Sequence, residues 1–392
     1  MKIAIFSDSH LGFGLGTERA NDAFEAFFES VEKSIDSDII LLAGDIFDNK
    51  SPATETWAKA MEILIKPKIR SNQVKILQGH NKEIDKLSPL TLSGVPVIAI
   101  HGTHERRTKE MLNPVEALEK AGFLLYIHCN GIVLEKNREK VCVQGMGGVP
   151  DHYAENVLRE WDPKPVKGCK NILMLHQSIT GFVNAQHTLD VETLPKGFDL
   201  YICGHLHGSR ALNEPPLVFP GSLIPTQLNK ESMEPNGVWF YDTEKGAVKF
   251  TRLENQRQFY YFECSGKEDS EKAINDVLKE NHAAKPIVRI KLAGKNDFTK
   301  ELESKYSENA ILSFKTQLEK EGLEVKSIEE QRLSVQELGQ KLLRENLQRA
   351  GLDPKIFESV FELLLDKKHE EAIRLLRESA KNSYGKENRE AG

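Results

Sequence analysis

At 392 residues the chain is too long for one typical domain and long enough to bury at least one full core, so two or three units are expected. A hydrophobic fraction of 39% and a charged fraction of 29% suit a soluble globular protein, and no apolar run approaches the roughly 18 residues needed to cross a bilayer. The formal net charge of −6 excludes a broad basic surface, so any nucleic-acid partner must be held by local patches and metal ions.

The opening segment MKIAIFSDSH turns polar too soon for a signal peptide, which makes a cytoplasmic protein without membrane contact the expectation. Five cysteines, Cys129, Cys142, Cys169, Cys203 and Cys264, show no CxxC or CxxH spacing. They read as ordinary core thiols rather than a disulfide framework or a zinc knuckle.

In chain order, KIAIFSD, DIILLAGD, VPVIAIHG, NILMLHQ and FDLYICGH are short continuous apolar runs rich in Ile, Leu and Val, the pattern of buried strands. Each ends in polar residues with Asp, His or Gly. Loops at strand carboxyl ends hold the ligands in layered α/β proteins, so this recurrence puts the polar residues on one rim. Residues 19–36 and 53–66 read as helices between the strands, the second opening at Ser51-Pro52. Past residue 256 the character changes: Phe259–Glu263 and Pro286–Leu292 predict strands around a helix at 270–281, a small α+β appendage. From 331 to 380 only helices are expected, interrupted by Gly351-Leu352-Asp353-Pro354, with Ile356, Val360, Phe361, Leu363 and Leu364 on one apolar face. The last dozen residues read as disordered, and no internal repeat is present. The expected units are 1–256, 257–330 and 331–392.

Five short boxes fall on the rim: Asp8-Ser9-His10, Gly44-Asp45-Ile46-Phe47-Asp48, Gly102-Thr103-His104-Glu105, His176-Gln177 and Gly204-His205-Leu206-His207. A lone histidine at a strand end is usually a capping or surface residue. The set is different, because carboxylates and neutral imidazoles suit manganese, iron or zinc, and D-x-H and H-x-H spacings turn two side chains the same way. Gly44 and Gly204 lack a Cβ and so allow the tight turns that aim the following side chains inward. Asp45 has two oxygens with which to bridge a pair of ions.

These ordered boxes resemble the calcineurin-like metallophosphoesterase superfamily over roughly residues 1 to 225. Within it, His10-Leu11-Gly12, LMLHQSI around His176 and FPGSL at 219–223 look like the DNA double-strand-break repair nucleases of the SbcD type. The resemblance implies an α/β fold with a four-layered core, two mixed β-sheets flanked by helices, followed by a small α+β capping domain and a C-terminal helical tail. It implies Asp8, His10, Asp45 and His207 on one metal, with Asp45, His176 and His205 on the other. The ions would be two Mn2+, with Mg2+, Fe2+ or Zn2+ as substitutes, and His104 would be the catalytic histidine. Relatives place an asparagine ligand where Thr103 stands, so Thr103 is either a weak ligand of the second ion or none; Asn81 in QGHNKE is the alternative source. Asp48 stands where some relatives have a further histidine. Arg106 and Arg107 lie where a phosphate backbone could run, or are solvated loop charges.

The implied activity is manganese-dependent phosphodiester hydrolysis, 3′–5′ exonuclease on DNA duplex ends and endonuclease on single strands. Implied partners are an SMC-like ABC ATPase of the SbcC type, bound through residues 335–380, and a second copy of the chain in a homodimer built on helices at 53–66 and 114–121. The implied location is cytoplasmic and nucleoid-associated. Two other readings compete: a superfamily enzyme acting on cyclic nucleotides or phosphoproteins, and a catalytically weakened scaffold for DNA ends.

Overall fold

The computed structural model describes residues 1–107, 111–183, 187–293 and 297–317. The helices expected between 331 and 380, their apolar face, the disordered end and the boundary at 330 lie outside these residues. The first half contains β1 (Lys2–Phe6), α1 (Asp22–Ser34), β2 (Ile39–Ala43), α2 (Thr54–Lys68), β3 (Lys75–His80), β4 (Val97–Ile100) and α3 (Pro114–Ala121), then β5 (Leu125–Tyr126), β6 (Asn130–Lys136), β7 (Glu139–Met146), α4 (Asp151–Trp161) and β8 (Lys170–His176). There follow β9 (Leu200–Gly204), β10 (Arg210–Leu212), β11 (Leu217–Phe219), β12 (Gly237–Asp242) and β13 (Ala247–Arg252). The last stretch holds β14 (Phe259–Cys264), α5 (Lys267–Leu278), β15 (Ile287–Ala293), α6 (Thr299–Tyr306) and β16 (Ile311–Gln317).

Two large mixed sheets face one another, with strand orders β13-β12-β1-β2-β4-β5 and β10-β11-β9-β8-β7-β6-β3. Strand periodicity explains the layers. Ile3, Ile5, Ile39, Leu41, Ile98 and Ile100 turn to the second sheet, where Val141, Val143, Ile172, Met174 and Ile202 meet them. The alternate residues Ala4, Phe6, Ile40, Leu42, Val97 and Ala99 turn outward under α1, α2 and α3, where Phe27, Leu64 and Leu118 cover them. On the far side Leu173, Leu175 and Cys203 pack under Ala154 and Leu158 of α4. The order helix, sheet, sheet, helix is the four-layered architecture that the motifs implied.

Residues 259–317 form a third sheet, β14-β15-β16, all parallel, with its own core of Ile274, Val288, Ile290 and Leu302. Arg257 ties it to the first core: its guanidinium donates to both carboxylate oxygens of Asp22 at 3.0 and 3.1 Å and to the carbonyls of Glu18 and Lys285.

The five expected strands all form. The helices differ at their ends. α1 begins at Asp22 rather than 19, after turns through Gly14 and Gly16 that only a positive φ can make. α2 begins at Thr54, so Pro52 precedes it instead of opening it, and it runs on through Pro67, which forgoes one i→i−4 bond a residue before the helix ends. α5 begins at Lys267 rather than 270, with Glu268 and Asp269 in the first turn, where the helix dipole favours them. All five cysteines are free, and no helix among the described residues is long and apolar enough to cross a membrane.

Candidate metal centre

All five boxes meet at one rim because β1, β2 and β4 run parallel in the first sheet and β8 and β9 run parallel in the second. The chain bends sharply where each strand ends. Asp8, His10, Asp45 and His205 all hold positive φ, at 51, 48, 48 and 79°. For residues with a Cβ that costs on the order of 1–3 kcal/mol each, and such strain persists only where surrounding bonds over-determine it. Here they do. Asp8 N–H donates to Gly44 O at 2.9 Å and His10 N–H to Asp45 O at 3.0 Å. The FPGSL segment straps the first box to the fifth, since Ser222 donates from Oγ to Asp8 O at 3.0 Å and from N–H to His207 O at 3.0 Å. A Cβ on Gly44 would overlap the His176 ring, and one on Gly204 the Ala43 carbonyl.

Among the described residues three groups of three potential ligands result, Asp8 with His10 and His207, Asp45 with His176 and His205, and, toward the surface, His10 with Asp48 and His104, each with ligand atoms within 4.8 Å of one another. The imidazoles are set for coordination by what their other nitrogens do. His176 Nδ1 donates to Ala43 O at 2.7 Å, so Nε2 is the nitrogen left to ligate once a cation displaces its proton. His10 Nδ1 lies 3.1 Å from Asp48 Oδ1 and His207 Nδ1 2.8 Å from Thr226 Oγ1, which leaves their Nε2 atoms facing each other at 3.4 Å. Asp8 Oδ1 and His176 Nε2 are buried without a hydrogen-bond partner; the latter lies 3.2 Å from Asp45 Oδ2 but is not aligned for a bond. Orphaned polar atoms of this kind are costly unless a cation takes their lone pairs.

The electrostatics point the same way. Asp8 and Asp45 are almost fully buried, and among the described residues neither is paired with a lysine or arginine. Burial would raise the Asp45 carboxyl, but the imidazoles of His176, His10 and His104 outweigh it and hold it well below the usual range. Burial opposes a charge on His176 too, yet Asp45 and Asp8 push it up to about 9. His205 and His207 are lowered by burial and, to a lesser degree, by neighbouring imidazoles, against the opposing pull of Asp8 and Asp45, which favours the neutral form a ligand needs. Buried carboxylates that draw protons onto histidines need positive charge, and divalent cations supply it at these same atoms. The residues therefore fit divalent cations.

Thr103 reaches the cluster, but its hydroxyl donates to Asp45 Oδ2 at 3.3 Å. Asn81 does not reach it: it follows β3, three strands away from β8 and so about 14 Å off in the sheet. His104 is bound to the same carboxylate through its backbone N–H, 2.9 Å from Asp45 Oδ1, while its Nδ1 donates to Asp48 O at 3.0 Å. Its ring stands 44% exposed over a cavity of about 380 Å³ that Asp45, His205 and His207 also line. Asp48, whose role the sequence left open, sets its carboxylate between His10 Nδ1 at 3.1 Å and His104 Nδ1 at 3.6 Å and orients both rings. Arg107 braces the preceding loop through Lys50 O and Ser51 Oγ.

Sequence reasoning missed Ser7, Thr226 and the bracing role of Glu105. Ser7 Oγ donates to Asp8 Oδ2 at 2.5 Å. Glu105 is fully buried and accepts from Phe47 N–H and Gly102 N–H, both at 2.8 Å, locking the second box to the third. Burial, with Asp45 nearby, pushes its carboxyl up to about 8.

The family model of calcineurin-like phosphoesterases matches residues 1–209. The double-strand break repair protein MRE11 of Arabidopsis thaliana is 26% identical over 323 residues, covering 70% of this chain and 44% of its own. The DNA double-strand break repair proteins Mre11 of Methanopyrus kandleri and Sulfolobus acidocaldarius are 24% and 26% identical, over 68% and 75% of this chain and 60% and 75% of theirs. The chain thus spans about half the length of the first two relatives.

Proposed function

Because the chain belongs to the calcineurin-like phosphoesterase family, we propose that it is a nuclease acting at DNA double-strand breaks, hydrolysing phosphodiester bonds at duplex ends and in single strands. The observation that carries this reading is the pair of converging ligand groups with orphaned Asp8 Oδ1 and His176 Nε2. Asp8, His10, Asp45 and His207 would hold one ion and Asp45, His176 and His205 the other, manganese in both. Bound there, divalent cations neutralise the phosphoryl oxygens and lower the pKa of water enough to yield a nucleophile near neutral pH. The chain's residues do the rest. His176 and Ala43 fix one tautomer, Asp48 aims His10 and His104, and His104 Nε2, the ring nitrogen left over, donates to the phosphate or the departing oxygen. The similarity to double-strand break repair proteins supports DNA over cyclic nucleotides or phosphoproteins as substrate.

Calorimetric titration with Mn2+ tests the centre. Two ions per chain are expected, one held more weakly, because Thr103 spends its hydroxyl on Asp45. Thr103→Asn is expected to tighten the weaker site. A chain that takes up no ions, or that cleaves a chromogenic phosphodiester and leaves duplex DNA intact, would sink the nuclease reading.

The proposal extends to a homodimer through α2 and α3 and to an SMC-like ABC ATPase bound by residues 335–380. Deleting 335–380 is expected to abolish co-purification with that ATPase and to leave cleavage of single strands intact; loss of cleavage in the truncated chain would assign the tail to the core.

A further inference from the structure

Arg210 opens β10 and pairs directly with Phe219 across the ladder to β11. Phe219 is fully buried, the Phe182 ring packs on it at 4.8 Å, and the Arg210 guanidinium lies over Phe182 at 5.5 Å. The stack runs from the core outward and fixes the arginine fork against a ring rather than letting it sweep through solvent. Arg210 lines the same cavity of about 380 Å³ as His104, His205 and His207.

The fork is placed but unused. Arg19, Arg107, Arg159, Arg257 and Arg289 all donate to carboxylates, carbonyls or hydroxyls. Among the described residues Arg210 has no hydrogen-bond or ion-pair partner, although Glu231 lines the same cavity and Glu234 flanks Gly208 beside it. A half-buried guanidinium resting against a ring, with no hydrogen-bond partner of its own, is a site for an anion with planar or tetrahedral oxygens. Its backbone lies two strands from β9, about 10 Å across the sheet, but the guanidinium reaches back beside Gly208, the residue after His207, and so stands at the border of the ligand cluster.

We propose that Arg210 grips a backbone phosphate next to the one being cleaved, and so distinguishes a polynucleotide from an isolated phosphodiester. This rests on the nuclease reading above. Since the guanidinium occupies one face of Phe182, no base can stack there, and the contact reads the backbone without regard to sequence.

The test measures binding of a labelled oligothymidylate by the full chain in EDTA across a salt series, for wild type, Arg210→Gln and Arg210→Lys. One phosphate contact on a single strand contributes roughly 0.7 to the slope of log K against log salt. Arg210→Gln is expected to lose that increment and Arg210→Lys to keep it, with affinity in between. In the Mn2+-loaded chain, Arg210→Gln is expected to raise KM for the oligonucleotide more than it lowers kcat. Its loss in kcat/KM there should exceed its loss on bis(p-nitrophenyl) phosphate roughly tenfold. Unchanged slopes in a wild type that binds DNA, or equal losses on the two substrates, would overturn the role of Arg210 alone. A wild type that cleaves the small diester but neither binds nor cleaves DNA would overturn the nuclease reading together with it.

Discussion

His104→Ala is expected to lower phosphodiester turnover by roughly 10²- to 10⁴-fold while both ions still bind, the range that a positioned proton donor contributes. The geometry separates this residue from its neighbours. Its ring is 44% exposed, so removal leaves little cavity, and its Nδ1 is committed to the Asp48 carbonyl. It reaches the Asp45 carboxylate only through its backbone N–H, a bond that alanine keeps. His176→Ala takes away a fully buried ring whose Nε2 belongs to a ligand group, so ions and turnover should be lost together. Metal content by calorimetry and turnover on an oligonucleotide, measured on the same preparations, distinguish the two. Less than a tenfold loss in His104→Ala would remove its catalytic role, and a lost ion would make it a ligand.

The boxes were legible because two physical demands write themselves into neighbouring residues. A strand buried on both faces must be a continuous apolar run, and a metal-holding rim must follow it with carboxylates and imidazoles; β1, β2, β4, β8 and β9 meet both. Other elements carried weaker marks. β3 is an edge strand with no buried residue, so KILQGH has no apolar run to read. β6 and β7 form a hairpin around Asn137 and Arg138, both with positive φ, a turn for which Asn-Gly is the usual signal and Asn-Arg a poor one. α4 buries only Ala154 and Leu158. In the centre itself the candidate ligands stood out in the sequence as short D-x-H and H-x-H boxes, but the residues that orient them did not. Thr226 reaches His207 across 19 positions and Asp48 reaches His104 across 56, separations that only the folded sheets make short.

Asp45→Asn should have the largest effect of any single change, and it can be made without breaking the fold. Asp45 sits at φ 48, a left-handed conformation that asparagine tolerates and most residues do not. The asparagine oxygen can still accept from His104 N–H, the bond made at 2.9 Å, so the third box stays in place. What disappears is the charge. Asp45 Oδ2 lies 3.2 Å from His176 Nε2, and Asp45 is the carboxylate of the second ligand group and the proposed bridge to the first. Removing residues that merely support ligands already costs roughly 10- to 100-fold in metal affinity, so losing a shared anionic ligand should cost more than that. Circular dichroism is expected to match wild type, while Mn2+ titration shows the second ion lost and the first weakened, with turnover on DNA falling to background. If both ions remained at wild-type affinity, Asp45 would not bridge them, and the charge of the centre would have to rest on Asp8.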